Sequence, residues 1–166
     1  MPGFCFLKSH HAKEGTGVPE KPKVYIQTFC GFDVFVNDKV IYFPSKKSKE
    51  LLAILVSQRG GSVSLAQVVH ILYENLQESA AKRNIRVIYH RLHRTLEEYG
   101  CEDMLIHKRG VFSVNTEWFE CDLYEFMKGN EAYLAVYTGN YMTEYPWASD
   151  TIPYLDTIYA RSNGKT

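Results

Sequence analysis

Residues 79–99 read SAAKRNIRVIYHRLHRTLEEY. Wound at about 100° per residue, Ile85, Tyr89, Leu92 and Leu96 fall on one narrow apolar stripe, which must face a core. The opposite side carries Arg83, Val87, His90, Arg91 and Arg94, flanked by Asn84 and Arg86. From Lys82 to Arg94 there are five Lys or Arg residues and no acidic one. An exposed helix ordinarily mixes signs so that residues four apart can pair. Here no carboxylate follows until Glu97 and Glu98. A face of one sign repels itself unless a polyanion or a charged partner meets it. DNA supplies the charge and a major groove wide enough for a helix. Arg can fork onto guanine there, Asn onto adenine, and Val87 can touch a thymine methyl. The alternative is a basic face that is only solvated.

The flanking segments place this helix. Upstream, Ser64 and Gln67 form a capping box that opens a shorter helix with Leu65, Val68, Val69 and Leu72 on one stripe. A polar break, ENLQES, separates the two helices. Downstream, Gly100 stops the long helix. MLIHK and VFSVN, joined by Arg109-Gly110, then predict a β-hairpin. A short helix, a turn, a longer basic helix and a hairpin are the order of a winged helix-turn-helix. Its second helix enters the major groove. Its hairpin tip, here Lys108, Arg109 and Gly110, reaches backbone phosphate or the neighbouring minor groove.

Farther upstream, KVYIQTFC, FDVFVND and KVIYFP alternate with period two and predict an antiparallel meander of three or four strands, with a turn at Asn37-Asp38. KKSKELLAILVSQRGG then predicts a helix with Leu51, Leu52, Leu55 and Val56 on one stripe and a stop at Gly60-Gly61. Lys46, Lys47 and Lys49 crowd its start, where cations oppose the helix dipole. Either that turn is solvated or nearby phosphates offset the repulsion.

The whole chain has 166 residues, 45% of them hydrophobic and 23% charged, enough for a real core. Basic and acidic residues number 19 each, but residues 1–114 hold 16 basic and 11 acidic side chains, and residues 115–166 hold 3 and 8. Such asymmetry suggests that the first part meets a polyanion, although chance scatter also produces imbalance. No apolar run approaches the roughly 18–20 residues of a membrane span. MPGFCFLKSHHAK lacks the pattern of a secretory signal. Cys5, Cys30, Cys101 and Cys121 are scattered with no C-x-x-C pair, which suggests reduced thiols in a cytoplasmic protein. There is no P-loop, dinucleotide fingerprint, nucleophile elbow or H-E-x-x-H, so neither an enzyme nor a cofactor is expected. His10-His11 lacks a third ligand. His90 and His93 could join Cys101 or His107 around a metal, but Arg91 and Arg94 beside them would repel a cation.

Residues 1–22, rich in Gly and Pro, are expected to be a linker or tail, and 117–166 a short all-helical appendage. Residues 115–166 hold 11 of the 23 aromatics, including both tryptophans. Trp118, Tyr124, Phe126, Tyr137, Tyr141, Tyr145 and Trp147 either pack the appendage onto the rest or form an activating or dimerising surface.

The stretches VYIQTFCGFDVFVNDK, KSKELLAILVSQRGG, LYE and NIRVIYHRLHRTL, followed by CDLYEF and YTGNYMTEYPWA, together resemble a known family. Residues 23–116 resemble the winged-helix output domain of OmpR-type response regulators, in the variety found in Streptomyces antibiotic regulatory proteins. The last motif resembles the start of that family's helical activator domain. The resemblance implies an α+β fold: an N-terminal antiparallel sheet, a three-helix core and a C-terminal wing, used on promoter DNA. It places recognition on Arg83, Asn84, Arg86, Val87, His90, Arg91 and Arg94. Added to these as DNA contacts, from the charge pattern, are Lys82, Lys46, Lys47, Lys108 and Arg109. It also implies two copies on tandem DNA repeats and contact with RNA polymerase. A receiver domain, usual in response regulators, does not fit within residues 1–22. The family usually has Gly where Cys30 stands, and Arg or Lys where His90 and His93 stand. The competing reading is a protein-interaction module on the same scaffold, without DNA.

Overall fold

A computed structural model of the protein describes residues 20–164. The paired histidines and most of the expected N-terminal linker therefore lie outside the described residues. Its last part does not behave as a free linker. The Lys21 ammonium sits 3.9 Å from the centre of the Trp118 ring, and a Cβ on Gly100 would lie 3.8 Å from Pro22.

The period-two runs form β1 (Val24–Gln27), β2 (Asp33–Val36) and β3 (Lys39–Val40), all antiparallel. Val24, Ile26, Val34 and Val36 point inward and are buried, as alternation requires. Asn37 and Asp38 take φ of 50° and 66°, the two consecutive positive values of a tight hairpin turn, which these residues tolerate.

α1 (Lys46–Ser57) is capped by Ser45, whose side chain accepts from the Ser48 amide. The expected apolar stripe is too narrow a description, because every residue from Leu51 through Val56 is buried. The second half of the helix is apolar all round and lies inside the protein, while its lysine-rich start reaches solvent. The Ser48 hydroxyl donates to the Ile88 carbonyl at 2.9 Å, Lys49 reaches Asp33 of β2 at 2.9 Å, and the Tyr124 hydroxyl donates to the Val56 carbonyl at 2.7 Å. α1 is thus covered by three separate parts of the chain.

β4 (Val63–Ser64) leads into α2 (Leu65–Leu72), and the reciprocal Ser64–Gln67 capping box is present. α3 (Glu78–Glu98) follows. Gly100, at φ 72°, turns the chain out of it, with the Cys101 amide returning to the Leu96 carbonyl. β5 (Leu105–Lys108) and β6 (Val111–Val114) form the hairpin, and β4 pairs on the outside of β6.

Residues 117–166 depart from the all-helical expectation. β7 (Glu120–Cys121) runs parallel to β1 and becomes the fourth strand of the N-terminal sheet, whose order is β3-β2-β1-β7. That sheet is therefore mixed, and its fourth strand comes from the far end of the chain. The helices α4 (Asp122–Met127), α5 (Glu131–Val136) and α6 (Ile152–Asn163) follow. Asp122, almost wholly buried, fastens this segment. Its carboxylate accepts from the Thr28 amide and hydroxyl, the Phe29 amide and the Leu123 amide at 2.6–2.9 Å. Burial pushes its carboxyl up, and these donors pull it down. Residues 140–144 add further ties. The Cys30 amide donates to Asn140, the Met142 amide to Thr28, and Glu144 accepts from the Phe32 amide. Phe29 packs edge-on against Phe126 and Tyr137. The buried cluster runs without a break from Val24 to Leu155. Cys30 has φ 70°, a left-handed backbone that suits glycine; this accounts for the residue that the family resemblance leads one to expect there.

Candidate nucleic-acid interface

α3 owes its placement to its apolar side. Ala81, Ile85, Ile88, Leu92, Thr95 and Leu96 are buried, and Tyr89 is half-buried. The opposite side keeps Arg83, Asn84, Arg86, Val87, His90, Arg91 and Arg94 exposed. From Arg83 to Arg94 this face runs about 16 Å along the axis. Among the described residues there are four ion pairs, and each one uses a lysine. No arginine has a carboxylate partner there. The guanidinium row on α3 is therefore both exposed and electrically uncompensated.

The lysines behave differently from the arginines. Lys82 pairs with Glu78 at 2.6 Å, one turn back. Glu78 sits at the positive end of the helix dipole, and the Lys82 hydrogen bond and charge hold its carboxyl below the usual range. Lys47 pairs with Glu50 at 3.0 Å and lies 5.7 Å from the Tyr73 ring centre. Lys49 pairs with Asp33. Much of the lysine repulsion expected at the start of α1 is thus relieved within the protein. Lys46 is exposed and has no carboxylate partner among the described residues. The Ser48–Ile88 hydrogen bond brings this end of α1 onto the middle of α3.

The hairpin is clamped to α3 by three rings. His107 stacks on Phe112 at 4.4 Å and 12°, and Tyr89 lies 5.1 Å from His107 and 5.0 Å from Phe112. Tyr89 immediately precedes His90 of the exposed face, and His107 immediately precedes Lys108. This clamp joins the hairpin to the arginine face. Residue types alone do not reveal it, since Tyr89 belongs to the core stripe and no local pattern points His107 at a ring. Arg109 and Gly110 take φ of 51° and 76° at the tip, the tight turn that fits a two-residue hairpin. Lys108 and Arg109 are exposed. The same end of the hairpin is held on its outer side by Ser64, which pairs with Val111 and also caps α2.

Cys101 is buried with its thiol toward the Leu96 carbonyl, and burial, with Glu102 nearby, pushes that thiol up to about 12. No helix among the described residues is long and apolar enough to cross a membrane.

No protein-family model matches the chain, and no curated protein matches its sequence. Among solved structures, the fold is similar to that of Mycobacterium tuberculosis EmbR, determined in complex with a low-affinity phosphopeptide. The TM-score is 0.71 at 14% identity, over 86% of this chain. The chain corresponds to 44% of the EmbR chain, so the likeness shows a shared mixed α+β fold over less than half of that protein.

Proposed function

We propose that this chain is a sequence-specific, double-stranded DNA-binding regulator of transcription, built as a winged helix-turn-helix and acting without enzymatic chemistry. α3 enters the major groove, and the β5–β6 hairpin is the wing that meets the backbone beside it. The observation that carries the reading is the exposed row Arg83, Arg86, Arg91 and Arg94, with Asn84 among them and no carboxylate partner among the described residues. Arginine in that setting is built for bidentate contact with guanine and phosphate. The EmbR-like fold supports the same class of protein.

The site residues divide by role. Arg83, Asn84, Arg86, Val87, His90, Arg91 and Arg94 face the base edges and the groove walls. Lys46, Lys108 and Arg109 contact phosphates. Lys47 and Lys82, already paired within the chain, contribute less.

Selection of binding sites from random duplexes tests the reading, followed by affinity measured across a salt series. Each phosphate neutralised adds about 0.9 to the slope of log affinity against log salt. Four to six contacts would give a slope of roughly −4 to −5. Failure to enrich any duplex, or a shallow slope, would favour the docking of α3 on an acidic protein.

A further inference from the structure

A cleft of about 350 Å³ opens where the turn after α1 faces β7 and α4. That is the small end of the range for ligand sites. Phe119, Tyr124 and Met127 give it an apolar lining. The Phe119 and Tyr124 rings lie 5.6 Å apart, and the Tyr124 hydroxyl is spent on the Val56 carbonyl, which leaves the ring to the cleft. Four charged side chains join this lining: Arg59, Glu120, Glu125 and Lys128. Two of them answer each other. Lys128 pairs with Glu125 at 3.0 Å, and the Asn130 amide donates to the same carboxylate. The other two, Arg59 and Glu120, are exposed and have no ion-pair partner among the described residues.

Arg59 holds its place at a cost. It follows the end of α1 with φ 53°, the left-handed position where a helix usually puts glycine. The next residue, Gly60, has φ 87°, and a Cβ there would lie 3.1 Å from the Thr116 side chain, which also lines the cleft. The turn that carries Arg59 is therefore braced against another wall of the cleft. A bulky residue in a rarely populated backbone conformation, with no carboxylate to pair with, points to function rather than to stability.

We propose that this cleft binds a small zwitterion with an apolar body, a free α-amino acid, whose carboxylate meets Arg59, whose ammonium meets Glu120 and whose side chain lies on Phe119, Tyr124 and Met127. The charges select this class. A simple anion would leave Glu120 facing a like charge, and a simple cation would do the same to Arg59. A zwitterion matches both, and the Lys128–Glu125 pair needs nothing from it. A planar guanidinium suits a carboxylate, which it can grip with two parallel hydrogen bonds. The two rings and the thioether suit an aliphatic or aromatic side chain, and the volume leaves room for one such molecule. Arg59 closes α1 and Glu120 belongs to β7, so the ligand joins the helical core to the C-terminal segment.

The test uses the full chain without DNA, so it does not depend on what α3 does. Titration calorimetry and thermal melting are run with leucine, methionine and phenylalanine as probes. One molecule should bind per chain, and the melting temperature should climb with probe concentration. Hydrocinnamate lacks the ammonium of phenylalanine, and phenethylamine lacks its carboxylate. Each should bind roughly tenfold more weakly than phenylalanine, the worth of one charge-assisted hydrogen bond. Arg59→Gly should weaken phenylalanine by a similar factor while the melting temperature of the unliganded chain holds or rises, because glycine suits that backbone. An arginine with a merely structural role would do the reverse. Glu120→Gln should weaken phenylalanine and spare hydrocinnamate. No binding of any of the three probes, equal binding of phenylalanine and its two truncated analogues, or unchanged affinity in Arg59→Gly would each overturn the inference. All three outcomes leave the DNA reading standing, since site selection decides that separately.

Discussion

Replacing Asp122 with Asn keeps the shape and removes one acceptor. In the native protein, Oδ1 accepts from the Thr28 amide, the Thr28 hydroxyl and the Leu123 amide, while Oδ2 accepts from the Thr28 and Phe29 amides. The cheapest Asn orientation keeps the amide oxygen at Oδ1 and turns the NH2 toward the Phe29 N–H. Donor then faces donor. One hydrogen bond to a charged group is lost, worth about 1.5–3 kcal/mol, and one buried N–H is orphaned, costing about 1–3 kcal/mol. Burial already disfavours the ionised carboxylate, so neutralising it returns part of that. The expected net destabilisation is about 3 kcal/mol. Both tryptophans, Trp118 and Trp147, lie in the 117–166 segment, so their fluorescence reports that part, whereas circular dichroism is weighted toward α1 and α3. Urea unfolding should show both signals moving together to a lower midpoint with an unchanged slope, the mark of one cooperative unit. A shift under about 0.5 kcal/mol would refute the argued role of Asp122. Fluorescence that unfolds ahead of the dichroism would instead show that the segment stands apart from the core.

Arg83→Ala or Arg91→Ala should cost about 1–3 kcal/mol of DNA affinity and relax base preference at one position, measured by competition against single-base variants of the selected duplex. Lys46→Ala should weaken all duplexes alike and lower the salt slope by about one. Lys47→Ala should change it less, since Glu50 already holds that charge. Cys30→Gly should raise stability by about 1 kcal/mol, because a left-handed backbone costs an L-residue about 1–2 kcal/mol and glycine nothing comparable; a lower denaturation midpoint would contradict this. Alkaline pH should destabilise the fold. Burial pushes the Cys101 thiol up to about 12 and the Tyr25, Tyr124 and Tyr141 phenols well above their usual range. The native state then holds protons that the unfolded state releases, so stability present below about pH 9 is lost as pH climbs. Melting temperatures should fall steadily above that point, with tyrosinate absorbance appearing in step with unfolding; phenols that ionise freely in the folded protein would contradict the burial argument.

The parts of the fold that were legible in the sequence are those in which one local rule decides the outcome. On α3 the 3.6-residue period and burial are the same fact, so the exposed face could be read off directly. Ser64 and Gln67 cap α2 through a local contact, and Arg109-Gly110 makes a turn whose chemistry is local too. Where distant segments decide, the sequence was silent. β7 has two residues and no period to detect, and its partner β1 lies almost a hundred positions away. Asp122 looked like one more charge of an acidic segment. A carboxylate between Cys121 and Leu123 in FECDLYEF was the available clue, because a charge set among apolar residues is buried only if donors meet it. Lys49 finds Asp33 across the fold, which spacing along a helix cannot show. The three-ring clamp had no signal at all, since it joins a helix residue to a hairpin made later in the chain.

The charge asymmetry gains meaning from these contacts. An acidic segment in a protein with a cationic face could fold back and neutralise it. Here three described residues of the acidic segment engage the rest of the chain elsewhere. Asp122 is spent on the β1–β2 loop, Glu144 on the Phe32 amide, and Trp147 reaches Glu50 of α1. Lys47 and Lys49 of α1 have carboxylate partners, whereas Lys46 and the arginines of α3 have none among the described residues. The chain therefore keeps a separated positive face although its formal charge sums to zero. A molecule with zero net charge gains little long-range attraction to DNA, so its approach depends on orientation, with the arginine face leading. Salt should then act chiefly on the bound complex through counterion release, and it should change the dissociation rate more than the association rate. Stopped-flow measurement of both rates across a salt series separates the two. If the association rate carries most of the salt dependence, the opposing charge of the acidic segment does not offset the field of α3 in the way its contacts imply.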